Sequence, residues 1–184
     1  YHVGPFIGVG FDEKAGPEID YTFDENRVFK HGPIELNWKA RTDWKEGVLY
    51  GTVFSAANAS NYLMKVINTY VPIKIPLNLG SDDGIKVYLN GQLVLGNNIG
   101  RGAAPDQEKI TLALNKGRNL VLLKIYNGGG ASGFYYKSGA DQVPKPSLAI
   151  DLSCEKGSFA IELMAKAKKA VVAQVGWQKE GESY

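Results

Sequence analysis

The chain has 184 residues, and its 21 Lys+Arg against 19 Asp+Glu leave a formal charge of +2. A chain of this length buries roughly 70% of the surface its unfolded form exposes and needs no staple to fold. So even a balance of charge directs it to no nucleic acid and to no acidic membrane. Cys154 is the only cysteine, which excludes an internal disulfide, a multi-cysteine zinc site and a Cys-x-x-Cys-His attachment, so no haem is expected in this chain. No apolar run reaches the ~20 residues of a membrane helix, so no membrane insertion is expected. A start at Tyr1, with neither initiator Met nor signal peptide, reads as a piece processed or cut from something larger.

In chain order the punctuation is that of a β protein, with 22 Gly and 8 Pro separating short runs rich in Val, Ile, Leu, Tyr and Phe. "YHVGPF" reads as the first strand and the Gly-, Asp- and Glu-rich stretch from Gly10 to Asn26 as loop. Trp38 alternates with Leu36 and Ala40 and reads as core, whereas Trp44, in "RTDWKEG", stands among charges in a loop. "YLMKVINTYVPIKIPLNL" gives two strands, the second with Ile73, Ile75, Leu77 and Leu79 on one face, and Pro72 and Pro76 give it an edge or a bulge. In "IKVYLNGQLVL" Ile85, Val87 and Leu89 share a face, Asn90-Gly91 supplies the positive φ angles of a tight hairpin, and Leu93 and Leu95 resume the alternation. "KITLAL", a turn at Asn115-Lys116-Gly117 and "NLVLLKIYN" make a second antiparallel pair, with Leu120 to Leu123 buried on both faces. Lys137 to Ser147 reads as a connection. Beyond it Phe159, Ile161 and Leu163 alternate as in a strand, and Lys166 to Lys169 serve as a polar turn before "AVVAQVGW"; this hairpin is preferred to a helix over Glu162 to Ala173. The expectation is an all-β, antiparallel β-sandwich over residues 1–137, with 138–184 completing it or beginning a second small β module.

The runs "GSDDGIKVYLNGQLV" and "NNIGRGAAPDQEKITLALNKGRNLVLLKIYNGGGASGFYY", with "YHVGPF" and "FDEKAGPE", resemble a sugar-binding-type β-sandwich domain of large secreted planctomycete-type proteins. In those proteins it accompanies c-type cytochrome or hydrolytic modules. More distantly, "VYLNGQLV" and "LNKGRNLVLLKI" are similar to the galactose-binding-like jelly roll, and "GSDDG" is similar to the turn of the protective-antigen-type lectin domain. The resemblance implies a jelly-roll fold, a polysaccharide or glycan as partner alongside neighbouring modules of the same polypeptide, and a secreted or periplasmic location. It also implies adjacent aspartates that hold calcium, which in turn binds sugar hydroxyls.

Asp82 and Asp83 read either as hard oxygen ligands for Ca²⁺, with Asn78, Asn97 or Asn98 and backbone carbonyls completing the shell, or as an Asx-type turn with Gly84 at a left-handed angle. The two readings are compatible. For a sugar, a flat apolar face and forked polar groups are needed. Trp44 and Tyr135 are the candidate stacking rings, with Tyr135 and Tyr136 facing opposite ways; Asn97, Asn98, Arg101 and Asn127 are the candidate hydroxyl contacts, Arg101 being equally suited to a salt bridge with Asp82, Asp83 or Asp106. His2 and His31 read as surface histidines without nucleophile partners. Neighbouring carboxylates in a strand point to opposite faces, so no glycosidase pair is specified. The expected function is a non-catalytic carbohydrate-binding module, the alternative a structural or protein-interaction sandwich with no sugar ligand.

Overall fold

The protein, seen in a computed structural model, is described over residues 1–143 and in the strands Leu148–Glu155 and Ser158–Ala165. It divides into two compact units, Tyr1–Val143 and Pro144–Tyr184. The first is all-β apart from two single turns of 3₁₀ helix at Gly16–Glu18 and Ala140–Gln142. Its strands are β1 (His2–Ile7), β2 (Val28–His31), β3 (Ile34–Asn37), β4 (Leu49–Phe54), β5 (Ala59–Thr69), β6 (Ile73–Asp82), β7 (Gly84–Leu89), β8 (Gln92–Asn97), β9 (Glu108–Leu114), β10 (Gly117–Asn127) and β11 (Ser132–Ser138). They form a five-stranded antiparallel sheet, β1-β5-β10-β7-β8, a four-stranded antiparallel sheet, β4-β11-β6-β9, and a small β2-β3 hairpin.

Alternation decides what lies between the two large sheets. Ile75, Leu77 and Leu79 of β6 and Leu112 and Leu114 of β9 meet Ile85 and Val87 of β7 and Val121, Leu123 and Ile125 of β10, all essentially unexposed. Each such side chain contributes roughly 1.5–3 kcal/mol by leaving water. The residues between them, Tyr62, Tyr88 and Leu122, point to the other face of the five-stranded sheet, where Val9, Phe29 and Trp38 cover them and form a second core with Val3, Phe6 and Met64. Burial on both faces is why Leu120 to Leu123 is apolar without a break.

Four expectations change. "KITLAL" and "NLVLLKIYN" do not pair: β9 bonds to β6 in one sheet, and β10 to β5 and β7 in the other. The turn between them is a sheet-to-sheet crossing, held by Asn119, whose side chain bonds the N–H and the carbonyl of Asn115. In β8 a register shift between Val87 and Tyr88 sets Leu93 opposite Tyr88 and Leu95 opposite Val87, so Leu95 packs on the core and Leu93 is 55% exposed. Gly84 has no left-handed angle, because β7 starts there directly. His2 is not a surface residue: it is buried, its Nε2 lying 2.9 Å from Asn61 Oδ1. Pro76 meets its expectation locally, since β11 ends opposite Leu77 and Pro76 pairs only with Thr111 of β9.

The second unit contains the antiparallel hairpin of β12 (Leu148–Glu155) and β13 (Ser158–Ala165), paired from Leu148 with Ala165 to Glu155 with Ser158. Strand rather than helix is the outcome for Ser158–Ala165, with β12 as its partner; the expected polar turn and return strand, residues 166–177, lie outside the described residues.

Candidate functional site

Between the end of β6 at Asp82 and the start of β7 at Gly84, Asp83 alone carries the chain from one sheet to the other, and the Asp82–Asp83 peptide is cis. Asp83 is held on every side. Its N–H donates to the Tyr126 carbonyl (2.8 Å), its carbonyl accepts from Ser81 Oγ (2.7 Å), its Oδ1 accepts from the Arg101 N–H (3.1 Å) and its Oδ2 from the Gly128 N–H (2.8 Å). One carboxylate thus ties together the β6–β7 junction, the loop after β8 and the glycine loop after β10. This is not the local Asx-type turn that the sequence suggested: the N–H groups its oxygens accept lie 18 and 45 residues further along the chain, so the carboxylate clamps distant loops instead of its own turn.

The Asp82 carboxyl is half-buried beside it and is held above the usual carboxylate range, first by burial and then by the negative charge of Asp83 and a hydrogen bond with it; the backbone at Ala103 works against the shift. Among the described residues neither aspartate forms an ion pair, because Arg101 turns its guanidinium back to the Ser81 carbonyl (3.3 Å), Ser81 Oγ (3.0 Å) and Glu108 Oε1 (3.0 Å). Asn97 donates to the same Glu108 oxygen at 2.7 Å. Arg101 therefore takes the salt bridge that the sequence left open, though with Glu108 as its partner.

Asn98 is exposed on the same loop. Asn127 is fully buried and both its N–H donors are taken: it donates to the carbonyls of Ala56 (2.9 Å) and Gly130 (2.8 Å) and accepts from the Gly129 N–H (3.0 Å), which makes it the brace of the glycine loop. Tyr135, expected as a ring open to solvent, is 6% exposed. It pairs with Gly80, and a methyl group at Gly80 would collide with the Ala104 carbonyl, so the loop after β8 covers that face of β11. Trp44 stands apart from the aspartates: its ring neighbours are His2, Tyr50, Phe54 and Phe134, and the Arg41 guanidinium lies over it at 3.7 Å.

The rings beside the aspartates are Tyr126 and Phe11, 6.5 Å apart and edge to face. A Cβ added to Gly128 would lie 3.2 Å from Asp83 Oδ2 and 3.8 Å from Tyr126 Oη, so the absence of a side chain keeps a small space open between them. The signal for Tyr126 was present in the parity of β10, which turns Leu122, Lys124 and Tyr126 away from the inter-sheet core; Phe11 carried none. As to a metal, no group of three or more His, Cys, Asp or Glu stands together among the described residues. The two carboxylates, nearby carbonyls and the glycine-lined space suit a hard cation that takes oxygen ligands from backbone, water and ligand as well as from side chains.

No family model matches the chain, and no curated protein does. Among solved structures it is similar to the PA14 domain of the antifreeze protein MpAFP, at 11% identity over 62% of this chain and 55% of that one, with a TM-score of 0.39. It is also similar to the PA14 sugar-binding domain of an RTX adhesin (16% identity, 66% and 73%, TM-score 0.36) and to a family 35 carbohydrate-binding module from Clostridium thermocellum (15%, 50% and 90%, 0.35). The chain spans about half the length of the first of these. A likeness this distant establishes neither a ligand nor an activity for this chain.

Proposed function

We propose that this chain is a non-catalytic carbohydrate-binding module of a larger secreted protein, with its site at the Asp82–Asp83 end of the sandwich. The observation that carries the reading is the Asp82 carboxyl, set beside the Asp83 carboxylate, with neither in an ion pair among the described residues. A Ca²⁺ ion relieves that repulsion and supplies open coordination positions for sugar hydroxyls. Asp82 and Asp83 hold it. The Arg101 and Gly128 N–H groups fix the Asp83 carboxylate, Asn98 and the loop carbonyls lie within the same loop cluster, and Tyr126 offers an apolar edge for the sugar ring. Because the Asp82 carboxyl is easier to protonate than a free aspartate, Ca²⁺ affinity falls as the pH drops through its raised pKa.

The test is isothermal titration with Ca²⁺, and retention on polysaccharide gels with and without a chelator. Asp82→Asn is expected to weaken Ca²⁺ binding at least ~10-fold, since it removes one of two charged ligands, and to abolish retention while the fold persists. The rival, a sandwich that only spaces or docks neighbouring modules, has in its favour that each Asp83 carboxylate oxygen already accepts a backbone N–H. Absence of Ca²⁺ binding and of retention on every gel, with intact folding, decides for that rival.

A further inference from the structure

Residues 98–107 join the end of β8 at Asn97 to the start of β9 at Glu108, and one carboxylate oxygen closes the loop they form. Glu108 Oε1 accepts from Asn97 Nδ2 at 2.7 Å and from Arg101 Nη2 at 3.0 Å. The Glu108 and Arg101 side chains are only 16% and 17% exposed, so water screens this ion pair less than it does a surface pair. Asn97 fixes the carboxylate from the strand side and leaves it facing the arginine.

Arg101 stands next to the aspartates in two ways. Its main-chain N–H donates to Asp83 Oδ1 at 3.1 Å. Its guanidinium rests on Ser81, the residue before Asp82, with Nε 3.3 Å from the carbonyl and Nη2 3.0 Å from Oγ. A guanidinium so placed has the reach to turn onto a neighbouring carboxylate, and the planar fork of arginine matches a carboxylate better than any other side chain does. Yet the ion pair that Arg101 makes among the described residues is with Glu108. Freed from Glu108, the same guanidinium would neutralise the aspartates and compete with an incoming cation for them.

We propose that Glu108 is a positioning residue for the aspartate site: it captures the Arg101 guanidinium and so leaves Asp82 and Asp83 free for Ca²⁺, while the Arg101 main chain still orients Asp83. The proposal rests on the calcium site assigned to the aspartates and adds the group that keeps a built-in cation from occupying it. A residue that merely braced the loop would behave differently once Arg101 is changed as well.

The experiment is calorimetric titration of the full chain with Ca²⁺ in the wild type, in Glu108→Gln, and in Glu108→Gln combined with Arg101→Gln. Glu108→Gln keeps the size of the side chain and an oxygen for Asn97, and is expected to weaken Ca²⁺ binding about 10-fold, the scale of one hydrogen bond to a charged group. Removing the guanidinium as well should bring the affinity back to within about 3-fold of wild type. The N–H that holds Asp83 belongs to the backbone and is present in every variant. A mere brace gives the opposite sign, a double variant as weak as the single one or weaker. The Arg101 Nε–H resonance supplies a reading that needs no calcium: in metal-free Glu108→Gln it should leave its wild-type position, and adding Asp82→Asn should move it again. Wild type that binds no Ca²⁺ sinks the calcium site, and the Nε–H signal then still decides whether Glu108 holds Arg101 away from the aspartates. Full Ca²⁺ affinity in Glu108→Gln, no recovery in the double variant, or an Nε–H signal indifferent to Asp82→Asn overturns the proposal.

Discussion

Lys124 and Glu18 meet at 2.9 Å with neither side chain exposed at all. Both Glu18 oxygens also accept tyrosine hydroxyls, Oε2 from Tyr62 at 2.8 Å and Oε1 from Tyr88 at 2.5 Å, and the ammonium of Lys124 donates to the carbonyls of Phe11 and Glu13 as well. Every donor and acceptor is met, so the pair pins the loop from Gly10 to Asn26 onto the five-stranded sheet. Removing one partner leaves a bare buried charge. Lys124→Met is expected to cost about 3–5 kcal/mol in urea unfolding, and Lys124→Met combined with Glu18→Leu less than the sum of the two single changes; additive losses would show the pair to be uncoupled. None of this was legible in the sequence. The parity of β10 turns Lys124 away from the inter-sheet core, but nothing in a local pattern joins it to a residue 106 positions earlier. His2 is a similar case. Burial lowers its pKa from 6.5 to about 4, against the hydrogen bond with Asn61, and since Asn61 Oδ1 accepts, the neutral ring carries its proton on Nε2. The folded state thus binds fewer protons than the unfolded one between those values, so stability is complete above pH 6.5 and falls as the pH drops to 4, by about 3 kcal/mol. Subtracting the pH profile of His2→Gln from that of the wild type isolates this loss; parallel profiles would contradict it.

At the scale of elements, what was legible followed from period and turn chemistry. The β7–β8 hairpin turns on Asn90 and Gly91 at φ of 52° and 86°, as the Asn-Gly pair requires. A side chain at Gly91 would find ordinary space beside Tyr21, so Gly91→Ala measures the backbone term alone, about 1 kcal/mol in thermal or urea unfolding. What failed was the choice of partner strand, because a three-residue turn between two alternating runs has the same sequence signature whether the chain folds back within a sheet or crosses to the facing one. The loop after β8 shows how an element reaches the site. It lies so close over Gly80 that a methyl group there meets the Ala104 carbonyl, and three residues earlier the same loop sends the Arg101 N–H to Asp83. Gly80→Ala should therefore lift the loop and weaken Ca²⁺ binding several-fold by calorimetry with the strands intact by far-UV circular dichroism; unaltered affinity would mean that the loop does not position Asp83.

For the whole molecule, the candidate site is a product of topology. Asp83, Arg101 and Gly128 are brought together only because β6 and β7 lie in different sheets while β10 ends beside β7 and the chain returns through β11 to β6. The aspartates and the glycine loop could each be read in the sequence, whereas their meeting depended on strand order, which local pattern does not encode. Among the described residues, both large sheets and both hydrophobic clusters draw on Tyr1–Val143. A two-sheet core of this size is sufficient for an independent domain. Residues 1–143 produced alone should therefore unfold in one cooperative step at the urea midpoint of the corresponding transition in the full chain, and should bind Ca²⁺ with the same affinity. A fragment that is unfolded, or whose midpoint falls well below that transition, would mean that the C-terminal unit contributes to the fold of the first; a folded fragment with weakened Ca²⁺ binding would assign that unit a part in the site itself.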